Sequence, residues 1–266
     1  MGDAQQFFRT HPVFTLDQFR RAVGGRATAA TTTAPVKYHV GRGTLRPVEK
    51  SVYAVVPPGL DAKQFVPDRF LVVAVLREDA VLAYHSALEL LGYAHSTYRD
   101  AYYFTGRRRK DLRLGGGTLR AVLHPKPLRD RGDEGYGVEA RERLDVKMRV
   151  TGPERTLVDC LSVPRYAGGA EEALQSLQGV PILSLDRVAG YLERLGQRRL
   201  FAAVGAFLER EAARLFVPPE FLDRLARERP MSPTYLVRAG RGGQLLQRWN
   251  LVVPSQWTTE GSRLEV

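Results

Sequence analysis

Apolar residues recur at helical spacing near the start of the chain and then switch to alternation. Leu16, Phe19 and Val23 share one helix face, opened by Thr15 as N-cap with Gln18 three residues later in a capping-box pattern. Asp3 to Arg9 forms a short helix before it, ended by His11-Pro12, and Gly24-Gly25 stops the second helix. A third helix is expected from about Thr33, with Pro35 tolerated in its first turn. Val36 and Val40, four apart, then face the core, and Lys37, Tyr38, His39 and Arg42 lie mainly on the other faces. Gly41 and Gly43 end this helix. Thr44 to Val48 reads as a strand, Glu49-Lys50-Ser51 as a turn, and Val52 to Val56 as a second strand. Val52, Ala54 and Val56 fall on one face of it, Tyr53 and Val55 on the other. Pro57-Pro58-Gly59 closes the unit. Three helices and a hairpin predict a winged helix-turn-helix over residues 1–60. A larger mixed α/β domain is expected over 61–266, giving an α/β (α+β) fold class.

Beyond residue 60 the pattern is mixed. Pro67 to Leu76 is apolar, and Val81 to Tyr84 leads as strand or turn into a helix holding Leu88 and Leu91. Ser86 is expected to cap that helix and His85 to satisfy a neighbouring polar group. The His-Ser neighbours are not a hydrolase pair, because nucleophile-elbow glycines are missing. Tyr102-Tyr103-Phe104 is strand-like, Arg107-Arg108-Arg109-Lys110 a solvated turn, and Leu112, Leu114, Leu119 and Val122 suit a hairpin around Gly115-Gly116-Gly117. No Gly-Lys-Ser/Thr follows the glycines, so they are not a P-loop. Val146 to Val150 is a strand, after which Gly152-Pro153 places Glu154 in the first turn of a helix. Glu154, Arg155 and Asp159 are candidates for an ion-pair network. The remainder is mainly helical. One helix runs through Leu177, a second from its cap Ser184 through Leu195, and a third from Glu220 to Arg227 after Pro218-Pro219. Phe201, Val204, Leu208, Ala212 and Leu215 mark a long helix as core packing. Trp249 to Pro254 reads as a late strand that completes a sheet begun in mid-chain.

Charge adds a partner to this picture. The net charge is +11, with residues 1–60 contributing +5, residues 99–131 contributing +7 and the rest −1. Such localised positive fields attract a polyanion. In a winged helix the third helix enters the major groove. Arg46 and Lys50 on the wing are placed for phosphate, and Thr32 and Thr33 at the helix N-terminus can donate to it. The Arg107–Lys110 turn extends a DNA footprint or meets an acidic protein. Winged helices also serve as protein-interaction modules, so an interaction domain without DNA binding is the alternative.

Other classes are constrained. The single Cys160 excludes an internal disulfide or multi-thiolate zinc site and reads as a buried apolar residue. No apolar run reaches a membrane span, the N-terminus lacks a signal peptide's apolar core, and Gln6 breaks the myristoylation pattern. A cytoplasmic setting is expected, with no cofactor or metal. Asp145, Lys147 and Glu154 have the residue types of a metal-dependent nuclease core, but their spacing matches no defensible arrangement. Catalysis is therefore the minor alternative.

Five segments occur in a fixed order: YAVVPPG, LAYHSALELLG, TGPERTLVDC, RYAGGAEEAL and RWNLVVP. Together with the N-terminal module, from about Phe14 to Pro254, they resemble the AbiEi family of antitoxins from bacterial type IV toxin–antitoxin and phage-defence systems. The resemblance implies a transcriptional autorepressor that binds repeats upstream of its own operon, with two copies on a repeat. It also implies a C-terminal domain that counteracts a nucleotidyltransferase-like toxin. Lys37, Tyr38, His39, Arg42 and Arg46 match the family's recognition-helix and wing region. His85, Ser86, Glu154, Arg155, Asp159, Trp249 and Asn250 match its C-terminal motifs, with roles unassigned. Ser51 departs from the pattern, since relatives often place Gly at that wing turn.

Overall fold

The computed structural model describes residues 2–23, 29–237 and 243–259, with the backbone alone for residues 2, 3, 29–32, 258 and 259. The expected Gly24-Gly25 stop lies outside the described residues. The fold is α+β and forms two compact units. The first comprises Met1–Leu82, Tyr98–Val122 and Ala140–Arg149; the second comprises Ala83–Thr97, Leu123–Glu139 and Val150–Val266. Residue 60 thus falls inside the first unit.

The first unit opens with α1 (Gly2–Thr10), β1 (Val13–Thr15), α2 (Leu16–Val23), α3 (Ala29–Gly41), β2 (Leu45–Glu49) and β3 (Val52–Val55). The capping box forms: Thr15 N donates to Gln18 Oε1 at 2.7 Å and Gln18 N to Thr15 Oγ1 at 3.1 Å. Phe7, Phe14, Leu16, Phe19, Val36 and Leu45 make the core between the helices and hairpin. β1, too short to show a period, pairs antiparallel with β3, giving the order β1-β3-β2. At the hairpin tip Ser51 takes φ 64°, and its carbonyl accepts from Leu16 N at 2.8 Å. The tip of the hairpin is therefore fastened to the start of α2.

One expectation is corrected here. α3 begins at Ala29, not near Thr33, because Ala29, Ala30 and Ala34 are strong helix formers. Pro35 is consequently interior, where it lacks the N–H that the carbonyl of Thr31 would accept. Thr32 and Thr33 sit in the body of the helix rather than at its N-terminus.

The rest of this unit holds α4 (Arg69–Leu76), β4 (Val81–Leu82), β5 (Ala101–Thr105), β6 (Leu112–Leu114) and most of β7 (Gly117–Leu123), β8 (Val138–Arg143) and β9 (Val146–Thr151). Asp68 caps α4 by accepting from Phe70 N and Leu71 N, and α4 lies against β1. The strands form one sheet in the order β6-β7-β5-β4-β9-β8. Gly115 and Gly116, at φ 57° and 81°, make the two-residue turn between β6 and β7. Crowding adds to the demand for glycine: a β-carbon on Gly115 would lie 2.2 Å from Val66 Cγ1.

The second unit is mainly helical: α5 (His85–Leu91), α6 (Lys126–Arg131), α7 (Pro153–Ser162), α8 (Ala170–Gln178), α9 (Leu185–Leu195), α10 (Arg198–Arg210), α11 (Ala212–Leu215) and α12 (Pro219–Arg227). α7, α9, α10 and α12 surround a single core that includes Leu157, Cys160, Tyr191, Val204, Phe207 and Trp249. Ser184 caps α9 as expected, accepting from Arg187 N at 3.4 Å. The long helix expected across residues 201–215 is two helices, interrupted at Glu211. β10 (Thr234–Tyr235), β11 (Gly243–Leu246) and β12 (Leu251–Pro254) form a separate sheet in the order β10-β12-β11. The late strand is thus the centre of its own small sheet rather than the completion of the mid-chain one, and Gln247–Trp249 before it is a 3-10 turn. Its neighbours come from adjacent sequence, which satisfies both of its edges locally.

Candidate nucleic-acid interface and buried polar clusters

On α3 the apolar spacing sorts the side chains. Val36 is buried, Lys37, Tyr38 and Arg42 are exposed, and His39 and Val40 are half-buried. Arg42 Nη1 donates to Tyr38 Oη at 2.9 Å, one helical turn apart, and its guanidinium lies 5.7 Å from the ring centroid. This pair presents a planar cation and an aromatic ring together. His39 turns inward, with its ring edge-on to Phe8 at 5.0 Å and Nδ1 2.9 Å from Thr44 Oγ1. Burial and then the Arg42 charge lower its pKa from the ordinary value. Its ring belongs partly to the packing beneath the face.

The hairpin divides the two basic residues expected to touch phosphate. Lys50 is exposed at the tip. Arg46 Nη1 donates to the carbonyls of Phe65 and, at 3.4 Å, Lys63, so it braces the following loop. The segment after the hairpin offers carbonyls outside any helix or strand, and the guanidinium fills that need. Thr33 is half-buried within α3, and the side chain of Thr32 lies outside the described residues.

Arg107, Arg108, Arg109 and Lys110 are exposed between β5 and β6. Both ends of their turn are tied down. Asp79 Oδ2 accepts from Thr105 Oγ1 at 2.6 Å and from Gly106 N at 3.0 Å, and Asp111 Oδ1 accepts from Ala121 N at 3.2 Å. Burial acts against the Asp79 carboxylate, but these bonds outweigh it and hold its pKa below the ordinary value. Four cations therefore project from an anchored turn.

The motif residues of the second unit lie in separate buried clusters. His85 sits in the first turn of α5, with Nδ1 3.0 Å from Glu89 Oε1 and Nε2 3.2 Å from Glu172 Oε1. Glu172 Oε1 also accepts from Ser96 N at 3.0 Å and Ser176 Oγ at 2.8 Å. Burial opposes that carboxylate, yet the bonds hold its pKa below the ordinary value. His85 thus satisfies polar neighbours as expected. Ser86 does not cap the helix: Tyr84, at φ 53°, is the N-cap residue, and Ser86 is buried one position inside the first turn. The local bend at Tyr84 shifts the helix start by two residues.

Arg155 and Asp159 form a second cluster. Arg155 Nη1 donates to the carbonyls of Glu134 at 2.8 Å and Tyr136 at 2.7 Å, and Nη2 lies 3.1 Å from His124 Nδ1. Its Nε is 3.4 Å from Asp159 Oδ2, while Tyr191 Oη donates to Asp159 Oδ1 at 2.7 Å. Burial pushes the Asp159 carboxyl up to about 6 despite Arg155 and Tyr191. Glu154 does not join this network. It points elsewhere and accepts from Ser184 N at 2.9 Å.

Trp249 is fully buried, and its Nε1 donates to Glu209 Oε2 at 2.6 Å. Asn250 takes the left-handed conformation at φ 47°, and its Nδ2 donates to Pro230 O at 2.9 Å. These motif residues organise the fold rather than form one shared pocket. Glu172, Tyr191 and Glu209 complete the clusters, and no local sequence rule points to them as partners. Glu172 lies within RYAGGAEEAL, but nothing in that segment names His85 as its partner. Asp145 occupies a hairpin turn at φ 62°, Lys147 lies on β9, and Glu154 lies on α7. Among the described residues, no three His, Cys, Asp or Glu side chains are grouped to hold a metal ion. Nor, among them, is any helix long and apolar enough to cross a membrane.

No protein-family model matches this chain, and no curated protein does. The fold itself has a counterpart in the crystal structure of the RV2827C protein from Mycobacterium tuberculosis. The two superpose with a TM-score of 0.60 at 17% identity, over 94% of this chain and 89% of that one. The likeness is one of fold across nearly both full lengths.

Proposed function

We propose that this chain is a sequence-specific DNA-binding autorepressor that acts as the antitoxin of a type IV toxin–antitoxin system. In this reading residues 1–60 are a winged helix-turn-helix, α3 enters the major groove, and the hairpin β2–β3 is the wing. The observation that carries it is the outer face of α3, where Lys37, Tyr38 and Arg42 are exposed opposite the buried Val36. A helix that buries its apolar edge and offers donors outward suits base edges and phosphates. Lys50 and the anchored Arg107–Lys110 turn add phosphate contacts, while Thr33, His39 and Arg46 act by supporting the module. The antitoxin role rests on the AbiEi resemblance. It assigns to the second domain a nucleotidyltransferase-like toxin as partner, in the bacterial cytoplasm, with no catalytic step, cofactor or metal of its own.

Fluorescence anisotropy across a salt series tests the DNA reading. The probes are duplex DNA from upstream of the operon and a scrambled duplex of equal length. Tight binding to the upstream duplex alone, with a steep salt slope, is expected. Equal binding to both duplexes, or to neither, overturns sequence-specific repression. Co-expression with the neighbouring toxin gene tests the second half: growth should be restored by the chain and not by residues 1–60 alone.

A further inference from the structure

Arg199 lies in the first turn of α10, half-buried, and bonds to main-chain carbonyls. Nη2 donates to Ser162 O at 2.7 Å and Nη1 to Leu236 O at 3.5 Å. Among the described residues no carboxylate pairs with it, which sets it apart from Arg155, Arg214, Arg224 and Arg248, each bridged to an acid. Burial pulls its guanidinium below the ordinary value. A charge withdrawn from water is normally paired, because burial without a counter-charge is costly. Arg199 also lines a cavity of about 390 Å³ with Ser162, Pro233, Thr234, Tyr235 and Leu236. Among the described residues that line it, the other polar side chains are hydroxyls and none is acidic. The sequence around the cavity has the same bias: residues 229–259 contain four Arg and no Asp or Glu.

We propose that this cavity binds a phosphate group, free or carried by a small phosphomonoester, with Arg199 as its counter-charge. A guanidinium has five donors, so the two carbonyl bonds leave others for an anion. Ser162, Thr234 and Tyr235 line the cavity and carry hydroxyl donors, and a tetrahedral oxyanion accepts from several donors at once. The volume falls in the range of small-ligand sites. Tyr235, 57% exposed on β10, lines the cavity and is the aromatic residue available to the remainder of the ligand. The site lies in the second unit and is independent of the DNA-binding reading.

Isothermal titration at low salt with inorganic phosphate, adenosine monophosphate and acetate tests this, using the full chain and its Arg199→Lys and Thr234→Val variants. Circular dichroism checks that both variants fold. Phosphate and the monophosphate should bind the parent chain, and acetate should not. Arg199→Lys keeps the charge but loses the fork, and should weaken both ligands about tenfold or more. Thr234→Val should weaken them less. Tighter binding of the monophosphate, levelled by Tyr235→Ala, identifies an organic phosphoester; equal binding identifies free phosphate, and both support the site. Three results overturn it: no phosphate binding by the parent chain, acetate binding as well as phosphate, or folded variants that bind as the parent does.

Discussion

Trp249 occupies the space that a side chain on Gly205 would need. A β-carbon on Gly205 would lie 2.0 Å from Trp249 Cζ3 and 2.2 Å from Cη2. Gly205 is in the middle of α10, where glycine costs about 1 kcal/mol of helix propensity relative to alanine. The chain accepts that cost because the indole, fully buried and bonded to Glu209, fills the gap.

Gly205→Ala is therefore expected to destabilise the chain by about 1–3 kcal/mol, despite the better helix former. Trp249→Phe shortens the ring at the contact and should recover part of the loss in the double variant. Denaturant midpoints of the two single variants and the double variant measure this. A Gly205→Ala midpoint above that of the parent would remove the close packing from the account.

The hairpin tip makes the opposite case. Ser51 has a side chain at φ 64°, a region costing an L-residue about 1–2 kcal/mol. Ser51→Gly should raise stability by about 0.5–1 kcal/mol, the relief being partly offset by glycine's larger chain entropy. Urea unfolding with an unchanged m value would establish the gain. An unchanged or lower midpoint would mean that the tip is unstrained.

The sequence made features legible wherever the cause lies within a few residues. The Thr15–Gln18 capping box, the Ser184 cap, the inward and outward faces of β3 and the Gly115-Gly116 turn all follow from local rules and are present. β8 escaped because Val138–Arg143 is largely polar and exposed, leaving no apolar alternation to read. Ala29–Ala30 hid the start of α3 behind a threonine run with weak helix preference. The buried clusters were beyond reach for another reason. Glu172 reaches His85, Tyr191 reaches Asp159, and Glu209 reaches Trp249 only after the chain has folded. Charge alone placed Arg46 on the candidate interface, and only the geometry shows it turned to the carbonyl of Phe65.

Asp159 gives a pH dependence with a definite sign. Its folded value of about 6 lies above the ordinary 3.8, so the folded state holds the proton more tightly. Its contribution is full below about pH 4 and is lost as pH rises through about 6, to a total of about 3 kcal/mol. Glu172 acts in the opposite direction: its value lies below the ordinary 4.5, so its contribution is lost as pH falls below that value. Unfolding free energies at about pH 4.5, 5.5 and 6.5 should therefore fall across that range in the parent chain. The fall should flatten in Asp159→Asn, which keeps an acceptor for Tyr191. An identical slope in the variant would place the titration elsewhere.

Arg42 and Arg46 are both basic residues of the N-terminal module, and the structure separates their surroundings. Arg42 is exposed on α3 beside Tyr38, whereas Arg46 is held on the carbonyls of Phe65 and Lys63. Arg42→Ala and Lys37→Ala should each weaken binding to the upstream duplex by about 1–3 kcal/mol where the side chain reads a base. Where it meets phosphate, the salt slope should fall by about one unit instead. Arg46→Ala should leave the salt slope unchanged and lower stability by about 1 kcal/mol through the lost bonds to carbonyl oxygen. Anisotropy across a salt series, paired with thermal unfolding of the same samples, reads both effects at once. Unchanged DNA binding in both Lys37→Ala and Arg42→Ala would take α3 out of the interface. A full unit lost from the slope in Arg46→Ala would return that guanidinium to the DNA.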